Sequence, residues 1–195
     1  MIKTPTADAL NLRDIASSFD AQRGKLPVLG DPHRTPEPTA VCRRVVELGE
    51  LIVQLSDEVL ARVTDQDRAP HGDRVITAFA SAIEPAGDAV AALGVVNHQL
   101  AFLAQTEPSH DQADVRDARE ASVNVLEDAL ALADEALHEA ATRLHAASTT
   151  LLPPSAQLRA ALSRSHGAAD TAPSPEPAAK TAPTTAGPPT AVRGR

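Results

Sequence analysis

Thr39-Ala40-Val41-Cys42-Arg43-Arg44-Val45-Val46-Glu47-Leu48-Gly49-Glu50-Leu51-Ile52-Val53-Gln54-Leu55-Ser56-Asp57-Glu58-Val59-Leu60 is the stretch on which the fold turns. Val41, Val45, Leu48, Ile52, Leu55 and Val59 recur at alternating steps of four and three, the heptad spacing of one helical seam. A strand would alternate at every second residue instead. Val46, Val53 and Leu60 stand beside that seam at seven-residue intervals and widen it, so a helix burying both sets contacts two neighbours. Thr39 is the expected N-cap, and the helix is expected to run from Thr39 to Thr64.

The same spacing continues outward. Ile76, Phe79, Ile83, Ala86, Val90, Leu93, Asn97, Leu100 and Ala104 hold it without a slip, which predicts a second helix from about Asp73 to Gln105. The pattern passes through Pro85, so the proline is expected to kink one helix; a break into two at Ser81–Gly87 is the competing reading. Ser109-His110-Asp111-Gln112 fits a capping box, in which a serine hydroxyl and a glutamine amide satisfy two backbone N–H groups. Val123, Leu126, Leu130, Ala133, Leu137, Ala140, Leu144, Ala147 and Leu151 then carry a third helix to Pro153-Pro154. Two shorter amphipathic pieces flank the three: Leu12, Ile15 and Phe19 near residues 6–21, and Leu158, Ala161 and Leu162 near residues 155–165.

The expected fold is all-α: a long antiparallel three-helix, coiled-coil-like bundle with short accessory helices at both ends and a disordered C-terminal tail. Residues 1–38 hold the first short helix and a linker with Pro27, Pro32, Pro36 and Pro38; residues 39–152 form the bundle; residues 153–166 form the second short helix. Residues 167–195 are Ala, Pro and Thr with few large apolar side chains, too little to offset the entropy of ordering. The third helix is expected to overshoot its neighbours, leaving Ala140, Leu144, Ala147 and Leu151 to be covered by an accessory helix or a second copy.

Composition supports the class. Of 195 residues 38 are Ala, only 3 are Phe, and Trp and Tyr are absent. Alanine is the best helix former, and strands want the β-branched and aromatic residues that are scarce here. Arg outnumbers Lys fifteen to three, which with the alanine suggests a GC-rich bacterial gene. The formal charge of −8 is uneven: residues 41–150 hold 19 acidic and 8 basic side chains, whereas residues 151–195 hold 2 and 5. An acidic body without base-stacking aromatics disfavours nucleic acid. The N-terminus lacks the apolar core of a secretory signal, and the longest apolar-or-Gly run, Ala89 to Val96, is shorter than the roughly 20 residues of a membrane span. The expected location is cytoplasmic.

Candidate chemistry is thin. Glu135-Ala136-Leu137-His138 has the Glu-x-x-His spacing of helical di-iron sites and makes Glu135 and His138 weak metal candidates, but a second such pair exists only at Glu107–His110, across a helix start. The same segment is one ligand short of the zinc-protease His-Glu-x-x-His. The bland reading is a solvated face beside Leu137 and Leu144. Asn97 occupies a seam position, either buried to fix register or turned to water. His98 reads as an interface histidine. Cys42, the single cysteine, lies in a first helical turn beside Arg43 and Arg44, where thiolate is favoured, or is a small half-buried residue. Neither a phosphate-binding glycine loop nor a Gly-x-Ser-x-Gly elbow occurs.

The expected role is therefore non-catalytic and without a cofactor: a helical interaction or scaffolding module that binds a protein partner or itself, possible homodimer included. Its assembly seam comprises Leu48, Ile52, Leu55, Val90, Leu93, Asn97, Leu126, Leu130, Leu137 and Leu144. An Ala-rich helical body followed by an Ala/Pro tail also resembles, in composition alone, the phasins that coat hydrophobic storage granules; that resemblance implies an amphipathic surface coat and carries over no residue. A metal-dependent helical enzyme resting on Glu135 and His138 is the third alternative.

Overall fold

The structure is a computed structural model that describes residues 4–31, 33–34, 36–65, 70–109 and 112–152. The second short helix and the Ala/Pro/Thr tail expected beyond residue 152 lie outside the described residues. Within them the chain is 87% helical and contains no strand. Four helices follow one another: α1 (Pro5–Gly24), α2 (Pro38–Val63), α3 (Gly72–Thr106) and α4 (Ala113–Leu151), with a 3₁₀ turn at Glu107–Ser109.

The starts of these helices differ from the expected ones, for local reasons. α1 begins behind Thr4, whose hydroxyl accepts from the Ala7 N–H at 3.3 Å, with Pro5 in the first position where no N–H is needed. Proline sets the start of α2 in the same way. Pro38 occupies its first turn and Glu37 the N-cap, so Thr39 lies inside the helix and gives its hydroxyl to the Glu37 carboxylate at 2.6 Å. α4 does not start behind Ser109 as expected: Ser109 ends the 3₁₀ turn, and the helix begins at Ala113 behind an extended Gln112 without a side-chain cap, while His110 and Asp111 of the expected capping box lie outside the described residues. A tightened turn at the end of α3 has taken up Ser109, the residue that was to open the next helix.

Instead of three long helices with a small N-terminal accessory, four helices pack together. α1 lies along α4, α4 along α3 and α3 along α2, while α1 and α2 meet at only a few points. Residues late in α4 meet the start of α1, where the Ser148 hydroxyl donates to the Ala9 carbonyl at 2.7 Å. Farther along, the Arg23 guanidinium forks onto both oxygens of Asp134 at 2.7 and 2.8 Å. Leu12, Ile15 and Phe19 of α1 thereby enter one core with Leu48, Leu55, Phe79, Leu93, Leu137 and Leu144, all at most 2% exposed. The cover that Ala140 and Leu144 need comes from this helix; both are fully buried. Alanines such as Ala82, Ala86, Ala89, Ala133 and Ala140 occupy the remaining core positions, where a single methyl lets helices approach closely.

Pro85 divides nothing. α3 runs unbroken from Gly72 to Thr106 with Pro85 buried inside it. A proline has no N–H to offer the carbonyl four residues earlier, here that of Ser81. Arg143 of α4 donates to that carbonyl instead, and its guanidinium also lies 3.7 Å from Glu84 and pairs with Glu139. The neighbouring helix thus repairs the gap that the proline opens.

Candidate functional site

The tightest polar constellation joins α1, α2 and α3. Asp8 and Arg62 are 3% and 7% exposed, and the Arg62 guanidinium donates to one Asp8 oxygen at 2.8 Å. His71 holds the other oxygen at 2.9 Å, Glu58 pairs with Arg62 one turn earlier, and the guanidinium stacks 4.7 Å over the Phe79 ring. Arg62 extends the inner α2 seam by one more step of three after Val59, so an arginine at an apolar position was the available sequence signal. Both Asp8 oxygens are engaged in joining helices, so the arrangement serves as a buried clamp.

The sequence candidates are dispersed. Leu48, Leu55, Leu93, Leu126, Leu137 and Leu144 are at most 1% exposed, Leu130 is 8% exposed, and Ile52 and Val90 are half-buried against the same core. These seam residues hold the fold's own helices together. Asn97 is half-buried and its Oδ1 is enclosed without a hydrogen-bond partner. Glu135 and His138 lie on two flanks of α4: Glu135 lines a groove of about 450 Å³ shared with Asp88 and Val95 of α3, whereas His138 Nδ1 sits 3.3 Å from Arg23 of α1. Among the described residues no group of three or more His, Cys, Asp or Glu is placed to hold a metal ion. His98 lines a shallow groove with Phe102, and Cys42 is exposed rather than half-buried.

Two surface ion pairs tie the helices from outside. The Arg23 hydrogen bonds and charge hold the Asp134 carboxyl below the usual carboxylate range. An amide hydrogen bond from Gln22, helped by the Arg44 and Lys25 charges, lowers Glu47 in the same sense. A cavity of about 670 Å³ lies beside the first of these, between the Leu26–Leu29 loop and Leu130 on α4.

The apolar surface left over is concentrated on α2. Val46, Val53, Leu60 and Val63 are 60, 59, 62 and 52% exposed. Cys42, Val46, Gly49, Val53, Ser56, Leu60 and Val63 form a second run of alternating fours and threes, displaced by one residue from the buried Val41–Val59 seam. One residue is 100° around a helix, so α2 carries two apolar stripes a little more than a right angle apart. The inner stripe packs on α3; α1 touches α2 through Arg44 and Glu47 on the far flank and through Arg62 at the end of the inner stripe, and leaves the outer stripe open. A Cβ added at Gly49 would meet no atom within 4 Å.

α3 is the one described helix long and apolar enough, by length and composition, to cross a membrane, and its most apolar stretch is partly buried in the bundle. Isolated polar residues interrupt this Ala- and Val-rich helix, so its longest unbroken apolar-or-Gly run is Ala89 to Val96. Compared with known proteins, the chain matches no family model, no curated protein and no solved structure.

Proposed function

We propose that the protein is a non-catalytic helical interaction module that presents the outer stripe of α2 to an apolar helix of a protein partner. The observation that carries this reading is the unbroken exposed series Val46, Val53, Leu60 and Val63 at helical spacing. Each such side chain gains about 1.5–3 kcal/mol on full burial, so leaving three or four in water is a standing cost that a partner relieves. The acidic flanks keep the module soluble.

Replacing Val46, Val53 and Leu60 together by Lys tests it. A docking stripe can be lost with helicity and Tm intact, while binding disappears. Loss of the fold in that variant would mean the stripe serves the protein's own packing, and the reading would fall. The phasin-like coat is the weaker alternative, because it requires α1, α3 and α4 to open and surrender Phe19, Phe79 and Leu144 from a closed core. A metal-dependent enzyme has less support still, with Glu135 and His138 turned to different neighbours.

A further inference from the structure

We infer that the outer stripe of α2 pairs with the same stripe of a second copy, the two α2 helices running antiparallel about a two-fold axis between Gly49 and Val53. The inference rests on the docking role proposed above and names the occupant.

From Cys42 to Leu60 small and large residues alternate along the stripe. Val46, Val53 and Leu60 are separated by Gly49 and Ser56, with Cys42 at the outer end. In an antiparallel helix pair each layer sets one position of the repeat against the other, here a large residue against a small one. Leu60 of one copy then faces Cys42 of the other, Val46 faces Ser56, and Val53 faces Gly49. Each of these layers matches a projection to a recess. Gly49 is unexplained by the isolated fold, since a Cβ there meets nothing within 4 Å and glycine weakens a helix interior. A neighbouring valine gives it a reason. Ser56 is prepared as well: its hydroxyl is spent on the Ile52 carbonyl at 2.8 Å, so an apolar contact leaves no polar atom stranded.

Charge selects the direction. Arg43, Glu50 and Asp57 flank the stripe on its solvent side at seven-residue intervals, and all three are exposed. Parallel pairing would set this charged flank across from the partner's other flank, Val45, Ile52 and Val59, and give none of the three charges an opposite partner. Antiparallel pairing sets Arg43 beside Asp57 twice and leaves a single repulsive meeting, Glu50 with Glu50, at the axis. From Cys42 to Val63 the stripe is about 32 Å long. At roughly 10 Å of width it buries on the order of 350 Å² per protomer, under half of a standard interface, so association in the micromolar range is expected.

Light scattering with refractive-index detection on the full chain, from about 5 to about 500 µM, should show a concentration-dependent monomer–dimer equilibrium. Val53→Asp and Gly49→Leu, both at positions open in the monomer, should each abolish the dimer with the circular dichroism spectrum unchanged. Glu50→Gln should tighten it several-fold. Leu60→Cys, oxidised with glutathione disulfide, should give a covalent dimer through the resident Cys42, whereas the unmodified chain should not cross-link, since its two Cys42 residues lie about 27 Å apart along the helix. A monomer throughout the range, a dimer indifferent to Val53→Asp, or Cys42–Cys42 cross-linking would each overturn the proposal. A monomer whose triple-Lys variant still folds overturns self-pairing alone and leaves the docking face for a foreign helix; unfolding of the triple-Lys variant overturns both.

Discussion

The inner and outer stripes of α2 run on the same repeat one residue apart, the inner one aliphatic from Val41 to Val59 and the outer one setting Val46, Val53, Leu60 and Val63 among Cys42, Gly49 and Ser56. Leu48 and Leu55 on the inner stripe are fully buried, whereas Val53 and Leu60 on the outer one are 59 and 62% exposed. The difference comes from α1. A helix with two apolar stripes calls for two neighbours, and the chain supplies α3 for one while α1 goes to α4, touching α2 through Arg44 on the far flank and Arg62 at the inner stripe's end. Periodicity therefore reports that a face is apolar and leaves open which neighbour covers it.

Substitutions along α2 and its attachments sharpen that contrast. The largest effect is expected from Leu48→Asp, which buries an unpaired charge where the leucine is 0% exposed. That cost exceeds the stability of a marginal domain, and thermal melts should show no cooperative transition. The inner stripe ends in Arg62, so Asp8→Ala comes next: it leaves a buried guanidinium with only Glu58 and should cost about 3 kcal/mol, a fall of roughly 10 °C in Tm. If Asp8→Ala melts like the unmodified protein, the clamp does not hold α1 to α2.

A smaller effect is expected with pH at the outer clamp between α1 and α4. Asp134 has its carboxyl lowered in the folded state, first by the Arg23 hydrogen bond, so its contribution is present above the ordinary carboxylate range and is lost as pH falls through it. The Tm of the unmodified protein should therefore drop more on acidification than that of Asp134→Asn, although screening at this half-exposed pair keeps the difference to a few degrees at most. The smallest effect is Val53→Asp, expected to change the monomer's stability by no more than about 0.5 kcal/mol. A large loss there would erase the distinction between the stripes.

Much of the fold was legible in the residues. The seven-residue repeat located the spans of α2 and α3 to within a residue or two, and it carried α3 through Pro85, since a helix seam in phase on both sides of a proline belongs to one helix. Helix starts were less legible, because a cap depends on which of several polar residues the chain's path leaves extended; Thr39 and Ser109 had suitable chemistry and lost to Pro38 and to the 3₁₀ turn. The rank of α1 was missed for another reason. Leu12, Ile15 and Phe19 showed its apolar side, but its docking along α4 rests on Arg23 with Asp134 and Ser148 with Ala9, pairs 111 and 139 residues apart.

The sequence by itself determined the helical class, the extent of the central helices and the existence of two stripes on α2, because helix formation and amphipathicity are set within a few turns of chain. Tertiary structure alone decided which stripe is covered, that Arg62 finds Asp8 across 54 residues, and that Arg143 closes the gap left at Ser81 by Pro85. Those outcomes depend on how faces from distant segments meet, and a repeat along one helix holds no record of the neighbour that comes to lie against it.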